Sequence, residues 1–254
     1  MAQNKWLTID AMALARALAA HKAQDFGDAL ATVFRAWCPL HSIVITQYSA
    51  QAAQTLYHNL DDDLAARSIA PYERGLFVLD PFYNTGLRQH RSGVWRLRDL
   101  APDHFHRSDY YQAFYQHLGP CEEIGLLFVD LQLIVSLEHA GARVRAATLA
   151  QLNAAMPLLQ IVLQQFLQRA TSRPTMSTAA QTSQQLSPLA QHYKLSERET
   201  EVMQLVLQGH SSASIAAHLA IAETTVKVHR KHLYQKIGIS TQGQLFQRYI
   251  QQLV

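Results

Sequence analysis

The chain has 254 residues, of which 48% are hydrophobic and 16% charged, so it is long enough for one or two domains with cores of their own and is not a disordered chain. The formal net charge is only +3. Residues 189–254 hold seven basic and four acidic side chains, so the whole excess lies in the C-terminal quarter. A local cationic surface is the electrostatic requirement for binding phosphates.

Cysteine content and targeting signals predict a reduced, soluble setting. Cys38 and Cys121 are too few for a disulfide framework or a zinc site, and a redox pair is the alternative. Asp10 and Arg16 interrupt the apolar positions of the N-terminus, which therefore does not resemble a signal peptide. The longest apolar run, 124–135, is too short to span a bilayer. We therefore expect a cytoplasmic protein without a membrane partner.

The first 170 residues alternate between helical and strand-like patterns. In chain order the predicted elements are helices at 9–21 and 24–38, strands at 41–50 and 54–58, a helix from Asp61–Asp63 to about Arg74, a loop around Asp80-Pro81, a short strand near Val94–Leu97, a helix from Ser108-Asp109 to Gly119-Pro120, a hairpin of Ile124–Val129 with Leu131–Glu138, and a long amphipathic helix over 145–170. This order predicts an α+β domain in which helices flank a mostly antiparallel sheet.

The division of the chain follows from where this pattern ends. Residues 171–188 are rich in Ser, Thr, Gln and Pro and lose the apolar period, which indicates a flexible linker. We therefore predict a domain over 1–170, a linker over 171–188 and a second domain over 189–254. The long helix at 145–170 either contacts a second copy of the chain or packs on its own sheet, and the pattern favours both equally.

Residues 189–254 have the pattern of a short helix, a tight turn and a longer basic helix. Ser196 and Glu199 have capping-box spacing, and Gly209 can end the first helix in a left-handed conformation. A turn at Ala220–Ala222 leads into a helix from about Glu223 to Ile237. Its core-facing positions are Val226, His229 or Leu233, and Ile237. Such an arrangement places the first turns of the last helix against base edges in the major groove, whereas a small helical bundle with solvated lysines is the alternative.

Residues 192–251 resemble the LuxR/GerE-type helix-turn-helix in its NarL-like four-helix form. The matching positions are Leu195, Glu199, Val202, Leu205, Gly209, Ser211, Ile215-Ala216, Leu219, Ile221, Thr225-Val226-Lys227, His229, Lys236, Gly238 and Gln244. The resemblance implies an all-α four-helix domain in which Lys227, Val228 and Lys231 read bases. It also implies that phosphate or sugar contacts come from Thr224, Thr225 and Arg230.

Two further features of this region follow from the resemblance. The last helix, Gln242–Leu253, is expected to carry dimer contacts through Leu245, Tyr249 or Leu253. Ala222 stands where the family usually has a hydroxyl cap, and a missing cap costs about 1 kcal/mol of helix stability.

The N-terminal domain carries a second resemblance. Leu79-Asp80-Pro81, followed by Trp95, resembles the autoinducer-binding domain of quorum-sensing LuxR regulators, as does the order of elements. The resemblance implies that Asp80 binds a ligand amide and that Trp95 contacts the ligand head group. Asp63 and Arg67 stand about where the family has Tyr and Trp, so a different small molecule, read by a solo regulator, is an equal alternative.

Other residues complete this candidate site. A carboxylate beside aromatic groups can anchor an N–H donor or a cation. The candidate walls and the further candidate on the last strand are Tyr72, Phe77, Phe82, Tyr83, Trp95 and Ser136. The structural alternative is that Asp80 caps a turn before Pro81 and that Trp95 belongs to the core. A phosphoreceiver domain does not fit, because Asp61–Asp63 is not at a strand end and residues 140–170 contain no lysine.

Enzymatic and metal sites find no support in the sequence. Asp103-His104-Phe105-His106 lacks a convergent third ligand, and no nucleophile elbow, phosphate loop or paired catalytic carboxylate occurs. We therefore expect a dimeric DNA-binding transcriptional regulator, not an enzyme, without metal or cofactor. Its expected partners are a double-stranded DNA operator, a small-molecule effector, a second copy of the chain and RNA polymerase. The alternatives are an N-terminal domain that binds a protein partner, or a cofactor-bound redox or light sensor.

Overall fold

The structure, a computed structural model, describes residues 10–49, 52–115, 122–140, 143–171 and 188–253. The N-terminal elements are α1 (Ala11–Ala19), α2 (Ala23–Arg35), β1 (Leu40–Tyr48), β2 (Ala53–His58), α3 (Asp62–Arg74), β3 (Gly93–Arg96), α4 (Leu97–Leu100), α5 (Asp109–Phe114), β4 (Glu122–Phe128), β5 (Leu133–His139) and α6 (Ala146–Thr171). The C-terminal elements are α7 (Pro188–His192), α8 (Glu197–Gln208), α9 (Ser212–Leu219), α10 (Glu223–Ile237) and α11 (Gln242–Leu253). The predicted fold class, α+β followed by an all-α helix-turn-helix region, is confirmed.

The five strands form one antiparallel sheet in the order β2-β1-β5-β4-β3. The predicted β4–β5 hairpin is present and turns through a 3₁₀ segment at Val129–Leu131. One row of the sheet joins Trp95, Gly125, Ser136 and Val44, which pair in that order across β3, β4, β5 and β1. Directly paired residues of neighbouring strands point to the same side of a sheet, so this row lies on one face.

Helices α1, α2 and α6 cover one face of the sheet, which is apolar. Leu152, Leu159 and Leu163 of α6 are buried in the same cluster as Ile43 of β1 and Leu126 of β4. By length and composition α6 could cross a membrane. Its buried stripe packs on the chain's own sheet, as one of the two alternatives predicts, while Ile161 of the same helix is 53% exposed, so a contact with a second copy stays a prediction.

The segment around Asp80-Pro81 is more regular than the predicted loop. A 3₁₀ turn covers Leu76–Leu79, and a π-helical turn covers Phe82–Leu87. Pro81 has φ −60°, which suits the start of a helical segment, and the backbone N–H of Phe82 donates to Asp80 Oδ1 at 2.7 Å. The loop prediction was therefore wrong, because side-chain capping by Asp80 lets helical structure resume directly after the proline.

The other boundaries differ less from the prediction. Asp61 caps α3 by accepting from Leu64 N–H at 2.8 Å, and the helix continues through Pro71 to Arg74. Helix α5 ends at Phe114, before the predicted end at Gly119-Pro120, which lies outside the described residues. The predicted linker over 171–188 also falls almost entirely outside them.

The C-terminal helices follow the predicted order of short helix, turn and longer helix. Gly209 ends α8 with φ 94°, Ala220 ends α9 with φ 52°, and Gly238 ends α10 with φ 73°. Among the two candidates for the middle of the buried side of α10, Leu233 is fully buried while His229 is partly exposed.

These helices pack directly on the N-terminal domain. The backbone N–H of His104 donates to Gly209 O at 3.0 Å, and that of Ser211 donates to Asp103 Oδ1 at 3.0 Å. Two longer side chains add bonds to the segment before Asp80: Gln208 Nε2 donates to Val78 O at 3.2 Å, and Tyr249 OH donates to Gly75 O at 3.3 Å. One apolar cluster continues across this junction.

Candidate DNA-binding surface and effector site

The capping box predicted at Ser196 and Glu199 is present. Ser196 Oγ accepts from Glu199 N–H at 3.2 Å, and Glu199 Oε2 accepts from Ser196 N–H at 2.7 Å. The same carboxylate oxygen accepts from Lys236 Nζ at 2.6 Å, although Glu199 is nearly buried. Burial raises the pKa of Glu199, but the bonds from Lys236 and Ser196 outweigh it and hold that pKa below its ordinary value. The start of α8 is thereby fixed to the end of α10.

Helix α10 presents an exposed stripe of residues predicted to touch DNA. Thr224, Lys227, Val228 and Lys231 follow the i, i+3, i+4, i+7 spacing that places side chains on one helix face. All four are exposed, and Val228 keeps 50% of its surface in solvent. Lys227 Nζ lies 2.9 Å from Glu223 Oε1, an exposed pair of the kind that contributes little and separates easily. The stripe therefore offers two cations and an apolar side chain to a partner.

Arg230 lies beside this stripe and is more restrained. Its Nη1 donates to Ser212 Oγ on α9 and its Nη2 to Tyr234 OH, both at 3.3 Å. Thr225, in the first turn of α10, is also exposed. Ala222 occupies the N-cap of α10 and makes no side-chain bond, as the sequence predicts. The first amides of α10 thus lack a side-chain acceptor, and a DNA phosphate can take that place.

The expected dimer contacts of α11 do not fit this arrangement. Leu245 and Tyr249 are buried within the chain, and Tyr249 donates to Gly75 of the N-terminal domain. The side chain of Leu253 lies outside the described residues. Leu245 and Tyr249 therefore cannot form a dimer surface in this conformation, because both are buried within the chain, whereas the expected contact through Leu253 stays a prediction.

Asp80 lies at the centre of a buried hydrogen-bonded chain in the N-terminal domain. Its Oδ1 accepts from the backbone of Phe82, and its Oδ2 accepts from Tyr72 OH at 2.7 Å. Tyr72 OH in turn lies 2.6 Å from Tyr48 OH. Burial raises the pKa of Asp80 to about 6, although the bonds from Tyr72 and Phe82 act to lower it. Asp80 thus both caps the turn and serves as a buried polar anchor.

The remaining predicted ligand residues are distributed around Asp80. Phe82 is fully buried, and its ring occupies the space above Gly125, where an added Cβ would lie 2.6 Å from Phe82 Cδ1. Ser136 of β5 pairs with Gly125 of β4. Trp95 pairs with the other side of Gly125, but its indole Nε1 donates to Arg91 O at 3.2 Å and the Arg91 guanidinium stacks 4.1 Å from its ring. The Trp95 indole is thus engaged by Arg91, on the same sheet row as Ser136.

Sequence reasoning predicted Phe77 and Tyr83 as walls of this site but missed their neighbour Tyr48 and the carboxyl group of Glu123. Tyr48 stacks on Tyr83 with centroids 5.1 Å apart, and Phe77 meets Tyr83 edge-on at 4.9 Å. Glu123 projects from β4, and Ser136 is near enough to its carboxylate to act on its pKa. The one signal that could have found Glu123 is its position, beside Glu122 and two residues before Gly125, at the start of a strand whose other residues are apolar or glycine.

Known proteins resemble this chain in both its N-terminal and its C-terminal domain. A model of the luxR family of bacterial regulatory proteins matches residues 193–248. The HTH-type transcriptional regulator of the exeN 3' region of Aeromonas salmonicida is 30% identical over 187 residues, which cover 69% of this chain and 95% of that protein. The LBD domain of VqsR from Pseudomonas aeruginosa has a similar fold, with a TM-score of 0.53 at 20% identity over 62% of this chain and 96% of that chain. SdiA from Escherichia coli gives a TM-score of 0.43 at 19% identity over 92% of each chain. The chain belongs to the luxR family of bacterial regulatory proteins.

Proposed function

We propose that this regulator binds a specific DNA operator through α10 and that a small molecule held at Asp80 controls this binding. In this proposal residues 1–170 sense the effector, residues 171–188 link the two domains, and residues 189–254 bind DNA. The protein acts in the cytoplasm as a homodimer, because operator half-sites are read by two copies whose spacing is set by the dimer.

The exposed stripe on α10 carries the DNA-binding part of the proposal. Lys227, Val228 and Lys231 read base edges, where lysine pairs with guanine and an apolar side chain contacts the thymine methyl. Thr224, Thr225 and Arg230 contact the backbone, and the uncapped start of α10 adds amides for one phosphate.

The buried chain Asp80–Tyr72–Tyr48 carries the sensing part. A surface that binds a protein would offer exposed apolar side chains, whereas a small-molecule site needs an enclosed polar anchor among aromatic walls. Asp80 is 95% buried and bonds Tyr72, whose ring contacts Phe77, which in turn meets Tyr83. This buried polar anchor supports a small molecule over a protein partner, and an enclosed pocket around it is part of the proposal.

The junction between the domains offers a route for control. Tyr72 donates a hydrogen bond to Asp80. In the segment between these two residues, Gly75 accepts from Tyr249 and Val78 accepts from Gln208, both of which belong to the C-terminal helices. A ligand that moves Tyr72 or Asp80 therefore shifts the carbonyl groups that hold α8 and α11. The stripe on α10 stays exposed, so control acts on the position and pairing of the head and not by covering its DNA-reading surface.

DNA footprinting of the full chain tests the first part. Lys227→Ala combined with Lys231→Ala should abolish a specific footprint while the circular dichroism spectrum stays unchanged. Arg248→Ala removes one exposed charge from α11 of the same domain and is the control, which should keep the footprint. A wild-type footprint from the double variant would refute the role of α10.

Effector control is tested by native mass spectrometry of freshly purified protein, combined with a reporter gene. We expect a retained small molecule in the wild type, and Asp80→Ala should lose both this adduct and the effector response while remaining folded. A fully responsive Asp80→Ala variant would show that the effector is not anchored there.

A further inference from the structure

The two faces of the sheet differ sharply in polarity. On the face covered by α1, α2 and α6 the buried side chains are Ile43, Ile45, Ile124, Leu126, Val135 and Leu137. On the opposite face, here called the polar face, the register places Ser42, Thr46, Glu123, Ser136 and Glu138 beside the apolar Val44, Leu127 and Ile134. The register places Ser42, Glu138 and Glu123 in one row across β1, β5 and β4.

Buried polar atoms without partners are concentrated on the polar face. Among the described residues six buried side-chain atoms have no hydrogen-bond partner at normal geometry, and four of them lie here: Ser42 Oγ, Thr55 Oγ1, His58 Nδ1 and Glu123 Oε2. The hydroxyl of Ser42 approaches Glu138, and those of Tyr115 and Ser136 approach Glu123, closely enough to lower the pKa of these carboxyl groups. Thr55 and His58 belong to this face because they pair with Thr46 and Val44. Folded proteins satisfy nearly all such atoms, and each exception costs about 1–3 kcal/mol. Their concentration on one face points to bonds that a ligand supplies.

The polar face also carries carboxyl groups whose ionised forms no described lysine or arginine stabilises at its centre. Burial, and next the nearby Asp80 carboxylate, raise the pKa of Glu123 to about 8. Burial likewise raises the pKa of Glu138, which pairs with Glu123 across the strands. The interactions that act on Asp80 and Glu123 include no described lysine or arginine. A cation placed between two such carboxyl groups strongly stabilises their ionised forms.

Aromatic rings cluster beside Asp80. Tyr48, Tyr72, Phe77 and Tyr83 contact one another with centroids 4.9 to 6.4 Å apart, and the Tyr72 hydroxyl reaches Asp80. Faces of aromatic rings attract cations, and several rings together with a carboxylate form a common recognition site for organic ammonium groups.

We propose that the effector is an organic cation, a primary amine or diamine, whose ammonium group is held between Asp80 and Glu123 on the polar face. Ser42, Ser136 and the tyrosine hydroxyls bind its remaining polar atoms, and the rings of Tyr48 and Tyr83 separate to admit its carbon chain. This inference rests on the proposed function, in which the N-terminal domain holds a small molecule, and it specifies the chemistry of that molecule.

Isothermal titration calorimetry of the full chain tests the charge of the ligand directly. The probes are 1,4-diaminobutane and phenethylamine, each compared with a neutral counterpart of the same shape, 1,4-butanediol and 2-phenylethanol. We expect saturable binding of at least one amine and at least about tenfold weaker binding of its alcohol, because a charge-assisted contact to two carboxylates is lost.

The variants identify the site. Glu123→Gln keeps the shape of the side chain and should weaken amine binding by about tenfold or more. Asp130→Asn removes an exposed carboxylate from the turn between β4 and β5 and should leave the affinity unchanged. Asp80→Asn serves as the second test if Glu123→Gln does not fold.

Three results would overturn the proposal: equal affinity for amine and alcohol, unchanged amine binding in both acidic-site variants, or no amine binding at all. None of them decides the proposed function. A neutral molecule retained in native mass spectra would leave effector control intact while excluding a cation, and a footprint independent of Lys227 and Lys231 would refute DNA recognition by α10 alone.

Discussion

The junction between the two domains can be tested by adding a single methyl group at Gly209. This residue ends α8 with φ 94°, and a Cβ there would lie 2.9 Å from Phe105 Cα, 3.2 Å from Phe105 N and 3.3 Å from Ser108 Cβ. The two closest atoms belong to the backbone and cannot rotate away. Gly209→Ala should therefore separate the domains locally and break the bonds His104 N–H to Gly209 O and Ser211 N–H to Asp103.

Gly238 provides the matched control. It ends α10 with φ 73°, but no atom lies within 4 Å of its added Cβ. Alanine in the left-handed region costs about 1–2 kcal/mol at either position. Gly209→Ala should cost a further 1–3 kcal/mol or so, because two hydrogen bonds worth about 0.5–1.5 kcal/mol each are lost with the contact.

Hydrogen exchange measured by mass spectrometry reports on this contact directly, since the amides of His104 and Ser211 are the two donors. We expect both amides to exchange about tenfold faster or more in Gly209→Ala, and no change in Gly238→Ala. Equal exchange in the two variants, or protection retained in Gly209→Ala, would refute the packing of the head on the N-terminal domain.

Three further predictions concern the effector site. Burial raises the pKa of Asp80 from 3.8 to about 6, so this group alone should lower wild-type stability by about 2–3 kcal/mol as the pH rises from about 4 to about 6, because the folded state holds the proton more tightly. The raised pKa of Glu123 adds a fall that continues to about pH 8, so in urea titrations Asp80→Asn should reduce the total fall by at least the Asp80 share and leave a fall due to Glu123. Tyr72→Phe deletes the hydroxyl between Tyr48 and Asp80, so it should cost about 1–3 kcal/mol and raise the pKa of Asp80 further, as carboxyl NMR would detect. Gly125→Ala should destabilise the domain by about 1–3 kcal/mol because its Cβ meets the ring of Phe82 at 2.6 Å; an unchanged melting temperature would contradict this packing.

The DNA-binding helices could be predicted closely because their signals are local. A hydroxyl three residues before a carboxylate fixes the start of α8, and glycine at positions 209 and 238 fixes two helix ends through the left-handed region. The exposed side of α10 likewise follows from the 3.6-residue period. Only the choice between His229 and Leu233 as the buried residue needed the structure, because both lie near the boundary of the buried face.

The effector site shows what depends on the tertiary structure. The sequence indicates Asp80 because a carboxylate before a proline stands out, but it does not reveal that Tyr48 and Glu123, 32 and 43 residues away, share its surroundings. Their contacts arise from strand register and from the packing of α3 on the sheet. The same reason applies to α11, since nothing local in Leu245 or Tyr249 distinguishes a face that meets a second chain from one buried within the same chain. The sequence by itself determined the helix-turn-helix region, whereas long-range packing decided which residues surround Asp80 and which of their neighbours contact the C-terminal helices.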